Sequence, residues 1–248
     1  MNQGSTVLQL ENNTAFINNF SFTDQLNESG RMQHTASFDL PMNNDPASHA
    51  LLQYLQAGTK ERGFVCTIVS LNSTNQVTQS RLYENVVVEE IILPVWDATT
   101  AIPAKASVKL RAAGVSVRNE AAKISIPVKT KNASLSSNFA LSLGSLPCTR
   151  VVKISGLTIK PGNQLQQNFT IELFAIDGAA WNQWFLSGAG GQKKEQGTIR
   201  LYSNTMKDIL YSISLADVDI TSYSAAAGNQ QGMARVTIGL RVKGVAIK

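Results

Sequence analysis

Hydrophobic and polar residues alternate along most of this chain, which is the spacing of strands with one face buried. Phe16, Phe20 and Phe22 alternate with Ile17, Asn19 and Ser21, turn residues follow at Asn27–Arg31, and the pattern returns through His34 to Leu40, predicting a hairpin. A second hairpin is predicted where two β-branched runs, Gly63–Leu71 and Val77–Leu93, flank Asn72–Asn75. In Ser107–Val115, Val108, Leu110 and Ala112 point inward while Lys109 and Arg111 point outward. The period changes to that of a helix after Asp45, an N-cap followed by Pro46 at the first helical position. That helix runs to Ala57, ends at Gly58 and buries Leu51, Leu52, Tyr54 and Leu55.

The second half repeats the order. Strands are predicted at Val151–Ile159, Leu165–Ile176, Thr198–Tyr202, Ile209–Ile220 and Arg235–Val245, with a turn at Lys160–Asn163. A helix over about residues 179–187 carries Trp181, Trp184 and Phe185 on one face. Leu51 and Trp181, Tyr54 and Trp184, Gly58 and Gly188, and the closing strands Val108–Gly114 and Ile238–Gly244 are all separated by 130 residues. A single period of this length signals a tandem duplication. The expected fold is mainly β: two tandem β-barrel or rolled β-sandwich domains at 1–118 and 148–248, each with one short flanking α-helix. Residues 119–147 read as a linker or arm, with an alternating basic stretch from Lys123 through Lys129 to Lys131, and residues 1–12 as a polar arm. Segments 94–104 and 221–232 read as mobile loops.

Composition narrows the function. The chain has 248 residues, 43% hydrophobic and 16% charged. No apolar run approaches the roughly 18 residues of a membrane span, so no membrane anchor is expected. The start lacks the basic and apolar pattern of a secretory signal. Two cysteines, Cys66 and Cys148, are too few for a disulfide framework and suit a reducing compartment. The net charge of +5 is unevenly spread: residues 1–120 carry 8 basic and 11 acidic side chains, residues 121–248 carry 14 and 6, giving −3 and +8. The basic residues are scattered singly, which suits complementary contact between copies better than nucleic-acid recognition.

Candidate chemistry is sparse. His34 and His49, the only histidines, have no neighbouring cysteine or acidic cluster in sequence. Glu89 and Glu90 fall on opposite faces of a strand and make no carboxylate pair. The run Gly188–Lys194 follows a helix instead of preceding one, so it is not a phosphate cradle. Six Asn-x-Ser/Thr sequons, at Asn12, Asn19, Asn27, Asn72, Asn132 and Asn168, follow from an Asn- and Ser-rich composition. Trp181 and Trp184 would form a sugar platform if exposed, but their spacing matches Leu51 and Tyr54 and predicts core packing. The expectation is no catalytic, cofactor or metal site, and no enzyme.

The order of elements resembles the tail-tube family of contractile phage tails, extracellular contractile injection systems and type VI secretion tubes. The residues carrying the resemblance are Phe169–Phe174, the aromatic helix Trp181–Phe185, Lys194–Tyr202, Ile209–Ile220 and the last strand to Val245. Gly30–Arg31, Phe38–Leu40, Leu52–Leu55, Lys60–Phe64 and Val108–Gly114 repeat them in the first half. The resemblance implies a self-assembling subunit made in the bacterial cytoplasm and built into a virion tail or injection particle. Its rings would stack into a hollow tube that conducts DNA or effector proteins without sequence recognition, beside sheath and baseplate partners. Members usually carry one domain in a sixfold ring, and this chain carries two. Three chains would then give a threefold ring with pseudo-sixfold shape; a hexamer, or a baseplate or tube-initiating ring, are the alternatives. A two-domain carbohydrate-binding module is the competing reading. Expected contacts between copies are Asn27, Glu28, Gly30 and Arg31 at one hairpin tip, Lys160 and Asn163 at another, and Lys123, Lys129 and Lys131 on an arm that reaches a neighbour.

Overall fold

The computed structural model describes residues 5–43, 45–57, 63–118, 134–160, 167–188, 194–225 and 234–248. In the first half of the chain the strands are β1 (Thr6–Leu10), β2 (Asn13–Leu26), β3 (Met32–Pro41), β4 (Phe64–Leu71), β5 (Val77–Ile92), β6 (Trp96–Asp97), β7 (Lys105–Ala112) and β8 (Gly114–Arg118). In the second half they are β9 (Phe139–Leu143), β10 (Val151–Ser155), β11 (Thr158–Ile159), β12 (Gln167–Phe174), β13 (Glu195–Tyr202), β14 (Ile209–Ala225), β15 (Arg235–Val242) and β16 (Gly244–Ile247). The helices are α1 (Pro46–Ala57) and α2 (Gly178–Gly188), the latter entered through a 3-10 turn at Ala175–Asp177. The protein is mainly β, with two barrel-like sheets, as the alternation predicts.

Two compact units divide the chain, and each takes a short piece of the other half. Unit 1 comprises Met1–Ile92, Lys105–Ala133 and Ile159–Gly162; unit 2 comprises Leu93–Ala104, Ser134–Thr158 and Asn163–Lys248.

In unit 1 the strands run β5-β4-β1-β2-β3-β7, and β7 pairs again with β5, closing the sheet. The long strand makes closure work. Asn85 has φ 51°, a left-handed conformation that Asn tolerates better than most residues. Up to this bend β5 pairs with β4 and β8; beyond it, Val87–Ile92 pairs with β7. Gly63 lies so close to the bend that a Cβ there would stand 2.7 Å from the Asn85 Cα, which only glycine permits. Inside sit Phe38, Leu40, Val88, Ile91, Val108 and Leu110, all buried. On the wet face Glu89 bridges Lys109 at 3.1 Å and Arg111 at 3.2 Å. α1 forms where predicted: Asp45 accepts from the Ala47 N–H at 3.1 Å and the Ser48 hydroxyl at 3.0 Å, and Leu51, Leu52 and Leu55 are fully buried. Tyr54, expected in the same stripe, is only half-buried, and Gly58, the expected end, lies outside the described residues.

In unit 2 the order β10-β12-β15-β14-β13-β9 repeats β2-β3-β7-β5-β4-β1 of unit 1. The bend recurs at Asp217, φ 53°, beyond which β14 leaves β13 and β16 for β15. Trp181 and Trp184 meet edge to face at 6.0 Å, and the Trp181 indole donates to the Pro147 carbonyl at 3.1 Å.

Four sequence expectations change. Residues 6–10 are no arm but β1, seated between β2 and β4, because Val7, Leu8 and Leu10 are buried. The stretch expected as linker contains β9, which pairs with β13 as β1 pairs with β4. Segment 94–104 is packed: Trp96 is fully buried, β6 pairs with β10, and Pro103 bridges Leu135. Segment 221–232 is strand as far as Ala225. Its remainder, and the alternating stretch 123–131, lie outside the described residues.

Candidate self-association surface

The far end of the β2–β3 hairpin gathers three of the uncovered apolar side chains of unit 1. Leu26 is 69% exposed, Met32 47% and Phe22 45%. Their backbone is held firmly. Asn27 Oδ1 accepts from the Ser29 N–H at 3.1 Å, the Ser29 hydroxyl at 2.7 Å and the Arg31 N–H at 2.8 Å. The Asn27 N–H donates to the Arg31 carbonyl at 2.9 Å, and Gly30 turns the chain at φ 73°. Asp24 and His34, opposite each other in the register, are joined at 2.8 Å. The Arg81 guanidinium lies 3.7 Å from the centroid of the Phe22 ring, which stacks on Phe20 at 6.1 Å. A preformed turn presenting Glu28 and Leu26 loses little conformational entropy on docking.

The predicted contacts divide between this turn and positions elsewhere. Asn27, Glu28, Gly30 and Arg31 stand together on it. Lys160 has a partner inside unit 1: its Nζ is 3.2 Å from Glu90 Oε1. Glu90 and Glu89 serve separate cations, but the expected opposite faces do not hold: a register shift between Val88 and Glu90 turns Val88 and Ile91 both inward and leaves the two glutamates between them on the outer side. Lys123, Lys129, Lys131 and Asn163 lie outside the described residues.

Among the described residues several strand edges lack a partner, the outer edge of β9 among them; two of these edges lie on the long strands β2 and β14. β2 pairs with β1 only through Ile17, and from Asn18 onward has β3 alone. β14 pairs with β13 only as far as Val218, and from Asp219 to Ala225 has β15 alone. Thr221, Ser222, Ser224 and Ala225 are exposed. Bare strand edges invite pairing with another chain. Sequence reasoning missed the β14 border because the alanine- and serine-rich stretch reads as loop.

No protein-family model matches the chain, and no curated protein matches it.

The groups that carry chemistry elsewhere are tied down here. Trp181 is fully buried and Trp184 is 3% exposed, which removes the sugar platform. Burial pushes the Cys66 thiol up to about 12 and the Cys148 thiol up to about 11, so neither is a thiolate nucleophile at neutral pH. Both are free. Tyr54 donates to Glu11 Oε1 at 3.2 Å, lining a shallow cleft of about 570 Å³ with Gln9 and Phe64. Burial foremost, then Glu11, raises its pKa. Among the described residues no three His, Cys, Asp or Glu side chains gather closely enough to hold a metal ion. No described helix is long and apolar enough to cross a membrane. What the surface offers is backbone hydrogen bonding along two strand borders, next to exposed apolar side chains and a rigid turn.

Proposed function

We propose that this protein is a structural subunit that assembles with copies of itself into rings, and that the rings stack into the hollow inner tube of a phage tail or contractile injection system. The reading is carried by one observation: two units repeat one strand order, each with a helix at the same point, and each leaves a strand border unpaired among the described residues. Repeated units give quasi-equivalent positions in a closed ring, so three chains supply six. The work is passive. The lumen conducts DNA or effector proteins, and neither cofactor nor reacting group is called for. Opposite net charge on the two halves of the chain favours head-to-tail association over pairing of like halves. Negative-stain electron microscopy of the purified protein tests this directly: annular particles or tubes are expected, and uniform monomers at high protein concentration would overturn it.

A further inference from the structure

The matching of the two units can be followed row by row. Ser21, Ser37 and Lys109 lie side by side across β2, β3 and β7; Ser155, Thr170 and Gly239 do so across β10, β12 and β15. Likewise Phe38, Val108 and Ile91 form one row, and Ile171, Ile238 and Tyr223 its counterpart. Ser21 therefore corresponds to Ser155, and Ile91 to Tyr223. Counting two residues along each strand, Thr23 corresponds to Leu157 and Ala225 to Leu93.

The two borders that are bare on β2 and β14 are covered at their counterparts. In unit 2 the Leu93 N–H donates to the Leu157 carbonyl at 2.9 Å, and β6 continues antiparallel along β10, with Trp96 opposite Ile154 and Asp97 opposite Lys153. In unit 1 β11 lies beside β5, and Lys160 reaches Glu90. The chain thus already makes this strand pairing once, between the end of a long bent strand and the strand leading to a hairpin tip. Among the described residues the second set of the same two elements, the end of β14 and the outer part of β2, goes without it.

We infer that Ser222–Ala225 of one copy pairs antiparallel with Thr23–Leu26 of the next, reproducing between molecules the pairing that covers Leu93 and Leu157 within one. Thr23 then stands opposite Ala225, and Leu26 opposite Ser222, in the place that Lys160 and Glu90 occupy. The contact covers Leu26, the most exposed apolar residue of the hairpin. It joins the acidic half of one chain to the basic half of the next. Because it links unlike surfaces it does not end at a dimer: it closes into a ring or runs on. The inference rests on the self-association proposed above, but not on the stacking of rings.

Cysteine pairing tests it. Hydrogen-bonded partners in antiparallel strands have Cα atoms about 5.5 Å apart, within disulfide reach. In a Cys148→Ser background, with Cys66 left buried, the double variant T23C/A225C is oxidised gently and run on a non-reducing gel, while light scattering gives the mass of the unmodified protein. The expected result is a shift of most chains from the monomer band into a reducible ladder of covalent multimers. A mixture of the single variants T23C and A225C should give a dimer, and T23C mixed with Ser73→Cys, placed on the β4–β5 turn, should not. An assembled protein without the ladder, or with a cross-link only within one chain, overturns this pairing and leaves the ring proposal standing. A monomeric mass together with no ladder overturns both.

Discussion

Trp96 offers the most direct test of the segment that unit 2 draws from the first half of the chain. In Trp96→Ala a fully buried indole is removed from beside Ile154. A tryptophan buries about 150–250 Å², which at about 25 cal/mol per Å² is worth roughly 4–6 kcal/mol as an upper bound. Measured truncations of buried aromatics cost about 3–5 kcal/mol, a large share of the roughly 5–15 kcal/mol that holds a domain folded. With an m-value of roughly 3–4 kcal/mol/M in guanidinium chloride, the midpoint should fall by about 1 M. The assay is convenient because Trp181 and Trp184, the other tryptophans, also belong to unit 2 and report its unfolding by fluorescence. Val95, next in the chain and 49% exposed, serves as control: Val95→Ala should move the midpoint by no more than a surface change does, within about 0.5 kcal/mol. A midpoint for Trp96→Ala indistinguishable from that control would refute the packing of segment 94–104 and restore the mobile loop that its prolines and threonines suggest.

Two further outcomes follow from hydrogen bonds at chain turns. Asp45→Ala removes both acceptors at the start of α1 and should cost about 1 kcal/mol, lowering the thermal midpoint by a few degrees, whereas Asp45→Asn retains most of the cap; equal melting of the two variants by circular dichroism would count against it. Asp97 has its pKa lowered chiefly by the Thr99 hydroxyl and then by the Thr99 N–H. A depressed folded-state pKa stabilises above the usual carboxylate value near 4 and loses that contribution as the pH falls through the lower folded value. Thr99→Val should therefore flatten the acid limb of unit 2 stability, measured as guanidinium midpoint against pH between about 6 and 2; parallel limbs for variant and parent would contradict the assignment.

The helices and the wet-faced strands were legible because their signals are local. Asp45-Pro46 announces a helix start, and Lys109 and Arg111 mark the outer face of β7 by standing between Val108, Leu110 and Ala112. β1 gave no such signal. Val7 packs with Val69 and Leu71 in a cluster that also gathers Phe16 and Val77, while its neighbour Leu8 is equally buried. A strand covered on both faces does not alternate; β9 does alternate, with Leu141 and Leu143 buried and Ala140 and Ser142 exposed, but without a legible β1 it had no counterpart to match. Trp96 was unreadable on other grounds. Its strand partner Ile154 lies far along the chain, and a two-residue strand among prolines and threonines carries no period. Of the candidate surface, the Asn27–Arg31 turn was visible from its turn residues. The bare border of β14 became visible only once the rows of the two sheets could be laid side by side.

The loan of Leu93–Ala104 to unit 2 also orders events on the ribosome. At about 5–20 residues per second, Trp96 emerges on the order of several seconds before Ile154, and during that interval the indole has no sheet to join. The nascent chain must carry an unfinished apolar segment through that part of synthesis, with this tryptophan uncovered until Ile154 is made. Splitting the gene at its midpoint would make that interval permanent, since neither fragment encodes all of the unit it is centred on.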